Sequence, residues 1–402
     1  MKIYQAPKKI LQNYADVLIN FALNSGEGVK KGEVVQCAVP DIAKDFALEL
    51  QNTLLRAGAY PMLKILPTGF DKDFYSLANE DQLKFFPKKY VQERVNLIDH
   101  SIGIIADPFP FELKDTEPKK IVLARDSKKK YREWLNDKEA KGKFTWTLGL
   151  WAVEAKAEIV GLSMKEYWQQ IINACFLDKK NPVAEWKKIA KLQKDILKKL
   201  NKMEIEYLII KGKDIDMKIT LGKTRIWQGG SGRNIPSFEL FTSPDWRGVE
   251  GWVQFNQPVY RYGNIIEDAY LKIEKGIVTK SRAKKGDRLL KEMLRSKNAN
   301  KIGEYSLTDK RMSRITHVMA ETLYDENIGG PYGNTHMAIG MAYKDCYRGD
   351  QSKPSKKDWE AMGFNIDSAE HTDIVSTTDR TATAFFSDGS SRIIYQDGKF
   401  VI

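Results

Sequence analysis

The sequence is poor in residues that bind metals through sulfur or nitrogen, with 3 cysteines and 4 histidines among 402 residues. Cys37, Cys175 and Cys346 are odd in number and widely spaced, and they contain no C-x-x-C pair. This pattern argues against a disulfide framework and against a thiolate zinc site. We therefore interpret all three as reduced, structural residues.

Long uncharged apolar runs are also missing. No stretch approaches the roughly 18 residues that a membrane-spanning helix needs. Near the N-terminus, Asn13, Asp16 and Asn20 interrupt every apolar run, so no signal-peptide core is present. On this basis we expect a cytoplasmic protein without a membrane span.

The net charge of +12 raises the question of nucleic-acid binding. Lysines concentrate at residues 117–134 and 178–204, and the second stretch places them all round a helical period. That arrangement is typical of a solvated helix surface, and neither stretch has the glycine-spaced aromatics of a single-strand platform. A basic nucleic-acid-binding protein is kept only as an alternative. No Walker or dinucleotide glycine fingerprint is present either, although "GGSGRN" (229–234) is a glycine-rich turn.

The length of the chain, with 42% hydrophobic residues, predicts two packed domains. In the first half, helical and β-like patterns alternate, which favours a mainly parallel sheet with helices on both faces. The predicted helices are 8–23, 41–58 and 89–99, and the predicted strands are 33–39, 59–66, 100–106 and 119–124. We therefore predict an α/β domain over residues 1–203.

After residue 203 the pattern changes to short β-rich runs separated by Gly-Lys, Asp-Gly and Asn turns. These runs lie at 205–212, 214–222, 251–260, 269–279 and 381–402, and a helix is predicted at 286–296. We predict a β-rich α+β domain over residues 204–402.

Two of the four histidines have surroundings that suggest chemistry. His371 and Asp373 are two residues apart where the sequence becomes β-like, so both side chains would leave one face of a strand. His336 follows Asp325 and Glu326 across a glycine-rich segment, and Tyr343 comes seven residues later. The surroundings of His100 and His317 instead suggest structural roles.

Two further carboxylates, Glu239 and Glu304, stand in mostly apolar or small-residue settings. Together with the two histidines, Asp373 and Glu326, they form the inventory of a two-metal hydrolytic site. Such sites bind hard or borderline cations through oxygen and imidazole. A count of residue types alone leaves a metal site and a set of capping or solvent-facing acids equally open.

The order of five motifs adds to this count. "GRNIPSFELFTSPDWR", "KIGEYSL", "LYDEN", "THMAIGMAY" and "EHTDIV" resemble, in order and spacing, the thermophilic metallopeptidase family of leucyl aminopeptidase T and its bacterial relatives. The resemblance covers the second half of the chain, while the first half matches only as an α/β domain of the right size. The sequence departs from the family at "NIGGPYGNT", which joins Glu326 to His336 where the family has a shorter link.

The resemblance implies a role for each matching residue. Glu304 resembles the bridging carboxylate between two metal ions, and Tyr343 resembles the family's site tyrosine. Either Glu239 or Glu326 would also carry the proton of the attacking water. The implied metal ligands are Glu239, Glu304, Glu326, His336, His371 and Asp373.

The resemblance also implies an activity. Two divalent ions (zinc, cobalt, manganese or magnesium) would hold a bridging water or hydroxide that attacks the N-terminal peptide bond. Tyr343 would donate to the developing oxyanion or bind a metal directly. We therefore expect a homodimeric aminopeptidase acting on peptides with a free N-terminus, with another metal-dependent amide or phosphoester hydrolase as an alternative.

Overall fold

The computed structural model describes residues 4–222, 224–261 and 264–402. The chain divides into two compact units. Unit 1 comprises Met1–Lys187 and Ser231–Pro236, and unit 2 comprises Lys188–Gly230 and Ser237–Ile402. None of the helices in the described ranges is long and apolar enough to cross a membrane.

Unit 1 contains a four-stranded parallel sheet. Its strands are β1 (Val34–Pro40), β2 (Tyr60–Leu66), β3 (His100–Ile105) and β4 (Thr145–Leu150), and their order is β2-β1-β3-β4. Val35, Cys37 and Val39 of β1 are fully buried, as expected for an inner strand of a parallel sheet. The α/β prediction for this half, with strands near 33–39, 59–66 and 100–106, is confirmed.

Helices precede, connect and follow these strands, and the Lys188–Leu200 part of the last helix belongs to unit 2. They are α1 (Lys8–Val17), which continues into a π-helical turn (Leu18–Ala22) and a 3₁₀ segment (Leu23–Gly26), α2 (Lys44–Arg56), α3 (Asp71–Leu77), α4 (Glu80–Lys84), α5 (Lys88–Leu97), α6 (Pro118–Ser127), α7 (Lys129–Ala140), α8 (Glu154–Ile159), α9 (Met164–Ala174) and α10 (Pro182–Leu200). A further 3₁₀ turn at Asp41–Ala43 precedes α2.

One predicted strand is wrong, because residues 119–124 lie within α6. Pro118 occupies the first turn of this helix, a position where the missing N–H costs nothing and the fixed φ favours helix. A short apolar run cannot be assigned to strand or helix by periodicity alone. Pro118 is the sequence signal that favours a helix here.

The larger sheet of unit 2 has eight antiparallel strands. They are β5 (Tyr207–Gly212), β6 (Ile215–Thr220), β9 (Glu250–Gln254), β12 (Tyr270–Glu274), β13 (Ile277–Arg282), β17 (Arg380–Phe385), β18 (Ser391–Gln396) and β19 (Lys399–Phe400). Their order is β13-β12-β9-β6-β5-β17-β18-β19. In β6 the buried Ile215, Met217 and Ile219 alternate with exposed Asp216 and Lys218, the pattern of a strand with one covered face.

A second antiparallel sheet of unit 2 has five strands, and a separate pair forms a hairpin. The sheet contains β7 (Gln228–Gly229), β8 (Glu239–Thr242), β14 (Ile302–Thr308), β15 (Asn334–Gly340) and β16 (His371–Ser376) in the order β16-β15-β14-β8-β7, and the hairpin is β10 (Val259–Arg261) with β11 (Asn264–Ile266). Every residue of β14 and β15 is buried, so the centre of this sheet is covered on both faces.

Short helices complete unit 2. They are α11 (Asp287–Arg295), α12 (Thr322–Asp325) and α13 (Lys356–Ala361), with 3₁₀ turns at Trp246–Gly248 and Lys344–Cys346. The helix predicted at 286–296 is confirmed as α11. The β-rich character predicted for the second half is confirmed as well.

Candidate metal centre

The register of the five-stranded sheet gathers the predicted residues on one face. Glu304, Ser306 and Thr308 alternate along β14, so their side chains leave the same face. Across the strand pairs, Ser306 lies opposite His336, and Thr308 lies opposite Glu239. Residues directly opposite in an antiparallel pair share a face, which places Glu239 and His336 beside Glu304.

The third strand joins the same face through one small residue. Ala338 of β15 lies opposite both Glu304 of β14 and Asp373 of β16. His371 is two residues from Asp373 on β16 and therefore leaves the same face. The small side chain of Ala338 leaves room for the carboxylates on either side of it.

Short distances connect these side chains. His336 Nε2 lies 3.1 Å from Glu239 Oε2 and 3.1 Å from Glu304 Oε1. Asp373 Oδ1 lies 3.9 Å from the same nitrogen. His371 Nε2 lies 3.7 Å from Glu304 Oε2 and 3.7 Å from Asp373 Oδ1. The two carboxylate oxygens of Glu304 therefore face different histidines.

Backbone carbonyls orient both imidazoles. His336 Nδ1 lies 3.2 Å from the Glu326 carbonyl oxygen, and His371 Nδ1 lies 2.8 Å from the Met341 carbonyl oxygen. Because a carbonyl only accepts, each Nδ1 carries the hydrogen, and in the neutral ring Nε2 keeps its lone pair. Both lone pairs then point toward the carboxylates, as in histidine ligands of metal sites.

Glu304, Glu326 and His336 are buried, and the pKa of each is shifted. Burial raises the pKa of Glu304 to about 7, although the hydrogen bond with His336 opposes the rise. Burial, together with the negative charges of Glu239 and Asp373, also raises the pKa of Glu326 well above its usual value. Burial alone would lower the pKa of His336, but hydrogen bonds to Glu239 and Glu304 outweigh it and raise the pKa. Several carboxylates thus lie close together with too little positive charge around them.

The donor set fits a divalent cation. Two groups of donors have ligand atoms within 4.8 Å of one another: Glu239, Glu304 and His336 form one, and Glu304, His371 and Asp373 form the other. Asp373 Oδ1 is buried and accepts no hydrogen bond from the residues that the structure describes. Mixed carboxylate and imidazole donors, with a buried oxygen that no hydrogen bond satisfies, are the ligands that zinc and related ions take.

Glu326 lies beside the cluster but outside both donor groups, and Tyr343 lies beside His371. The Glu326 carboxylate accepts a hydrogen bond from Asn327 Nδ2 at 3.3 Å. The Tyr343 ring lies 4.7 Å from the His371 ring between centroids, and the side chain is 42% exposed. Partial burial and the charges of the surrounding carboxylates raise the pKa of Tyr343, so its hydroxyl keeps its proton.

Asp325, the other acid before the glycine-rich segment, has a different environment. Its carboxylate accepts backbone hydrogen bonds from Met319 at 2.6 Å and from Glu321 at 3.1 Å. These contacts hold the chain around α12 and leave the Asp325 carboxylate outside both donor groups.

The longer link between Glu326 and His336 does not separate them. Asn334 Nδ2 donates to the carbonyl oxygens of Glu326 at 3.0 Å and Ile328 at 2.7 Å. Gly333 turns the chain with φ +59°. The additional residues therefore form a closed loop, and the Glu326 carbonyl still reaches the His336 ring.

Sequence reasoning missed three contributors to this site. They are Asn327, which contacts Glu326, the Met341 carbonyl, which orients His371, and Phe241, whose ring lies 5.9 Å from the Tyr343 ring. Asn327 stands in the "DEN" motif and could have been found there. The carbonyl could not, because backbone groups carry no sequence signal.

Comparison with known proteins gives a consistent result. A family model described as thermophilic metalloprotease (M29) matches residues 7–400. The chain is 26% identical to Aminopeptidase T of Thermus thermophilus, over 98% of this chain and 99% of that protein. It is also 26% identical to Aminopeptidase AmpS of Bacillus subtilis, over 97% and 98%. The solved structure of wild-type AmpT from Thermus thermophilus has the same fold, with a TM-score of 0.84, 23% identity and coverage of 99% and 100%.

Proposed function

This chain belongs to the thermophilic metalloprotease (M29) family, and from that premise we propose that its carboxylate and imidazole cluster holds two divalent ions. The protein is a metal-dependent aminopeptidase, a hydrolase that acts on the N-terminal peptide bond. The observation that carries the two-ion proposal is Glu304, whose oxygens face His336 on one side and His371 on the other. A carboxylate shared in this way is what a bridging ligand requires.

We assign the proposed ligands from the two donor groups. They are Glu239, Glu304, His336, His371 and Asp373. Sequence reasoning left both Glu239 and Glu326 as ligand or proton carrier. Because Glu326 lies outside both donor groups, we assign it the proton-carrying role. Zinc, cobalt, manganese and magnesium all suit such mixed donors.

The residues of the chain then perform the following steps. A bound divalent ion supplies electrophilic help to the carbonyl and lowers the pKa of its water. Glu326 takes a proton from the attacking water and passes it to the leaving amine. Tyr343, protonated because its pKa is raised, donates a hydrogen bond to the carbonyl oxygen as negative charge develops.

The acidic pocket supports restriction to free N-termini. Glu239, Glu304, Glu326 and Asp373 concentrate negative charge near the proposed ions. An α-amine, with a pKa near 7.7–8.0, is attracted as the ammonium and can bind after losing a proton, whereas an acetylated amine can do neither. We propose that this charge selects the N-terminal end of the substrate.

A homodimer is proposed from the family resemblance, whereas the cytoplasmic location and the domain boundary are proposed from the sequence pattern. The protein is a cytoplasmic homodimer, and the predicted domain boundary lies at residue 203. The α/β domain, residues 1–203, contributes subunit contacts. The β-rich domain, residues 204–402, carries the catalytic residues.

Two substitutions test the site assignment. Glu304→Gln removes a shared ligand, so bound metal falls below two ions per chain and peptide hydrolysis is lost with it. Tyr343→Phe keeps the metal and lowers kcat by about 10²- to 10³-fold, the usual loss for one oxyanion donor. Metal content by elemental analysis and initial rates on a dipeptide measure both effects.

The matched control is Glu49→Gln, a buried glutamate of unit 1, which should change neither metal content nor rate. An active, metal-free Glu304→Gln protein would contradict the proposal.

A further inference from the structure

We propose that Asn327 is a positioning residue of the metal centre, holding the proton carrier Glu326 at a fixed place relative to the ligand Glu239. The inference rests on the proposed function and goes beyond it, since Asn327 is neither a ligand nor a proton carrier. It belongs to unit 2, as do all the residues that it contacts.

The side-chain amide of Asn327 connects two parts of the site. Its Oδ1 accepts a hydrogen bond from the Phe238 backbone N–H at 2.6 Å. Its Nδ2 donates to Glu326 Oε1 at 3.3 Å and to the Leu323 carbonyl oxygen at 3.1 Å. The side chain is fully buried, so no water competes for these groups.

The main chain of Asn327 is anchored as well. Its N–H donates to the Tyr324 carbonyl oxygen at 3.0 Å, and its carbonyl oxygen accepts from Ser313 Oγ at 2.5 Å. A buried side chain whose donors and acceptor are all used, on a backbone that is itself hydrogen-bonded, has little freedom to move. Asn327 can therefore act as a fixed reference point.

The Asn327 amide contacts Glu326 directly and contacts the residue next to Glu239. Phe238 directly precedes Glu239 at the start of β8, and Glu326 directly precedes Asn327. One amide thus links the strand that carries the ligand to the loop that carries the proton carrier. Losing it frees the Glu326 carboxylate and the first residue of β8 together.

The chemistry of an amide suits this place. The charges of Glu239 and Asp373 act unfavourably on the Glu326 carboxylate. A lysine here would hold Glu326 but neutralise charge that the metal ions need, and an aspartate would add repulsion. Asparagine donates to the carboxylate and accepts from the backbone without changing the net charge.

The test measures metal affinity and kcat in the full-length protein. Asn327→Asp keeps an acceptor for the Phe238 N–H but loses both Nδ2 donors, and Asn327→Ser is too short to reach Glu326. Asn327→Ser, which shortens both contacts, should weaken binding of Zn²⁺ or Mn²⁺ to metal-stripped protein by about 10- to 100-fold in calorimetric titration. Asn327→Asp, which keeps the Phe238 contact and loses the Glu326 contact, should mainly lower kcat on a dipeptide, by about 10²-fold. Thermal denaturation of each metal-free variant reports whether it is folded.

Asn13→Asp is the matched control. Asn13 is 4% exposed, belongs to unit 1 and donates to the Leu177 carbonyl oxygen at 2.8 Å. This change also loses a buried amide donor, so it should lower the melting temperature while leaving metal affinity within about twofold of wild type.

The outcomes separate the two proposals. Folded Asn327 variants with wild-type metal affinity and wild-type kcat overturn the positioning role. Unfolding of both variants, with Asn13→Asp still folded, assigns Asn327 to the fold alone and also overturns it. Wild-type protein that binds two ions but cleaves no peptide removes the proposed function, while the affinities still judge Asn327. Wild-type protein that binds no divalent ion removes both.

Discussion

At the scale of single residues, the site combines fixed imidazoles with crowded carboxylates. Hydrogen bonds from Nδ1 to the Glu326 and Met341 carbonyls direct the Nε2 atoms of His336 and His371 toward the acids. Burial raises the pKa of Glu304, and hydrogen bonds to Glu239 and Glu304 raise the pKa of His336, so without metal both groups tend to hold protons. Metal binding and proton binding therefore compete at the same atoms.

This competition predicts how the stability of the metal-free protein depends on pH. Folding raises the pKa of Glu304 to about 7 and also raises that of His336, so the folded state holds protons that the unfolded chain has released. The free energy of unfolding should then fall, by on the order of 1–3 kcal/mol, as pH rises from about 4.3 through 7. Urea denaturation of metal-stripped protein at pH 5 and pH 8 measures it.

Glu304→Gln is the comparison, because it removes one of the titrating groups. It should flatten the pH dependence of the unfolding free energy between these values. For each protein, the change in unfolding free energy from pH 5 to pH 8 is compared. If the wild-type protein gained stability over this interval relative to the variant, the charge balance that we describe would be contradicted.

At the scale of elements, the site depends on strand register and on one loop. Ala338 lies opposite both Glu304 and Asp373, and a slip of one residue would turn these acids to the other face. The glycine-rich loop after Glu326 closes at Gly333, whose added Cβ would collide with the Thr308 carbonyl oxygen and the Tyr395 hydroxyl. The loop can therefore close only with glycine at this position.

Gly333→Ala tests the importance of this closure. The substitution combines the strain of a left-handed alanine with a steric clash, and it should lower the free energy of unfolding by about 2–5 kcal/mol. Gly32→Ala is the control, because Gly32 also has positive φ (+87°) but an added Cβ meets nothing within 4 Å. It should cost only about 1–2 kcal/mol. Equal losses of unfolding free energy for the two variants, measured by chemical denaturation, would exclude a steric clash at position 333.

Much of this element structure could be predicted from the sequence. The alternation of apolar and charged residues in β6 and the apolar run of β1 are typical of strands. The i, i+2 spacing of His371 and Asp373 predicts that both side chains leave one face. The helical identity of α6 was missed because its apolar run is short. The pairing register could not be predicted, since it depends on contacts between strands distant in sequence. The bridging position of Glu304 was implied only by the family resemblance and not by the residues themselves.

At the scale of the whole molecule, the overall charge and the local charge have opposite signs. The chain carries +12, yet the proposed metal centre is built from carboxylates. The field within the pocket, and not the net charge, determines which end of a peptide is attracted. The basic surface therefore does not conflict with a site that binds an amine.

The central claim is that the two donor groups around Glu304 bind metal and that the protein cleaves peptides with a free N-terminus by means of it. The most direct measurement is release of the N-terminal residue from paired free and N-acetylated short peptides, using metal-stripped protein with and without added divalent ions. We predict release that requires metal and is confined to the free peptides. Efficient cleavage of the acetylated peptides, or no release with zinc, cobalt, manganese or magnesium, would contradict the claim.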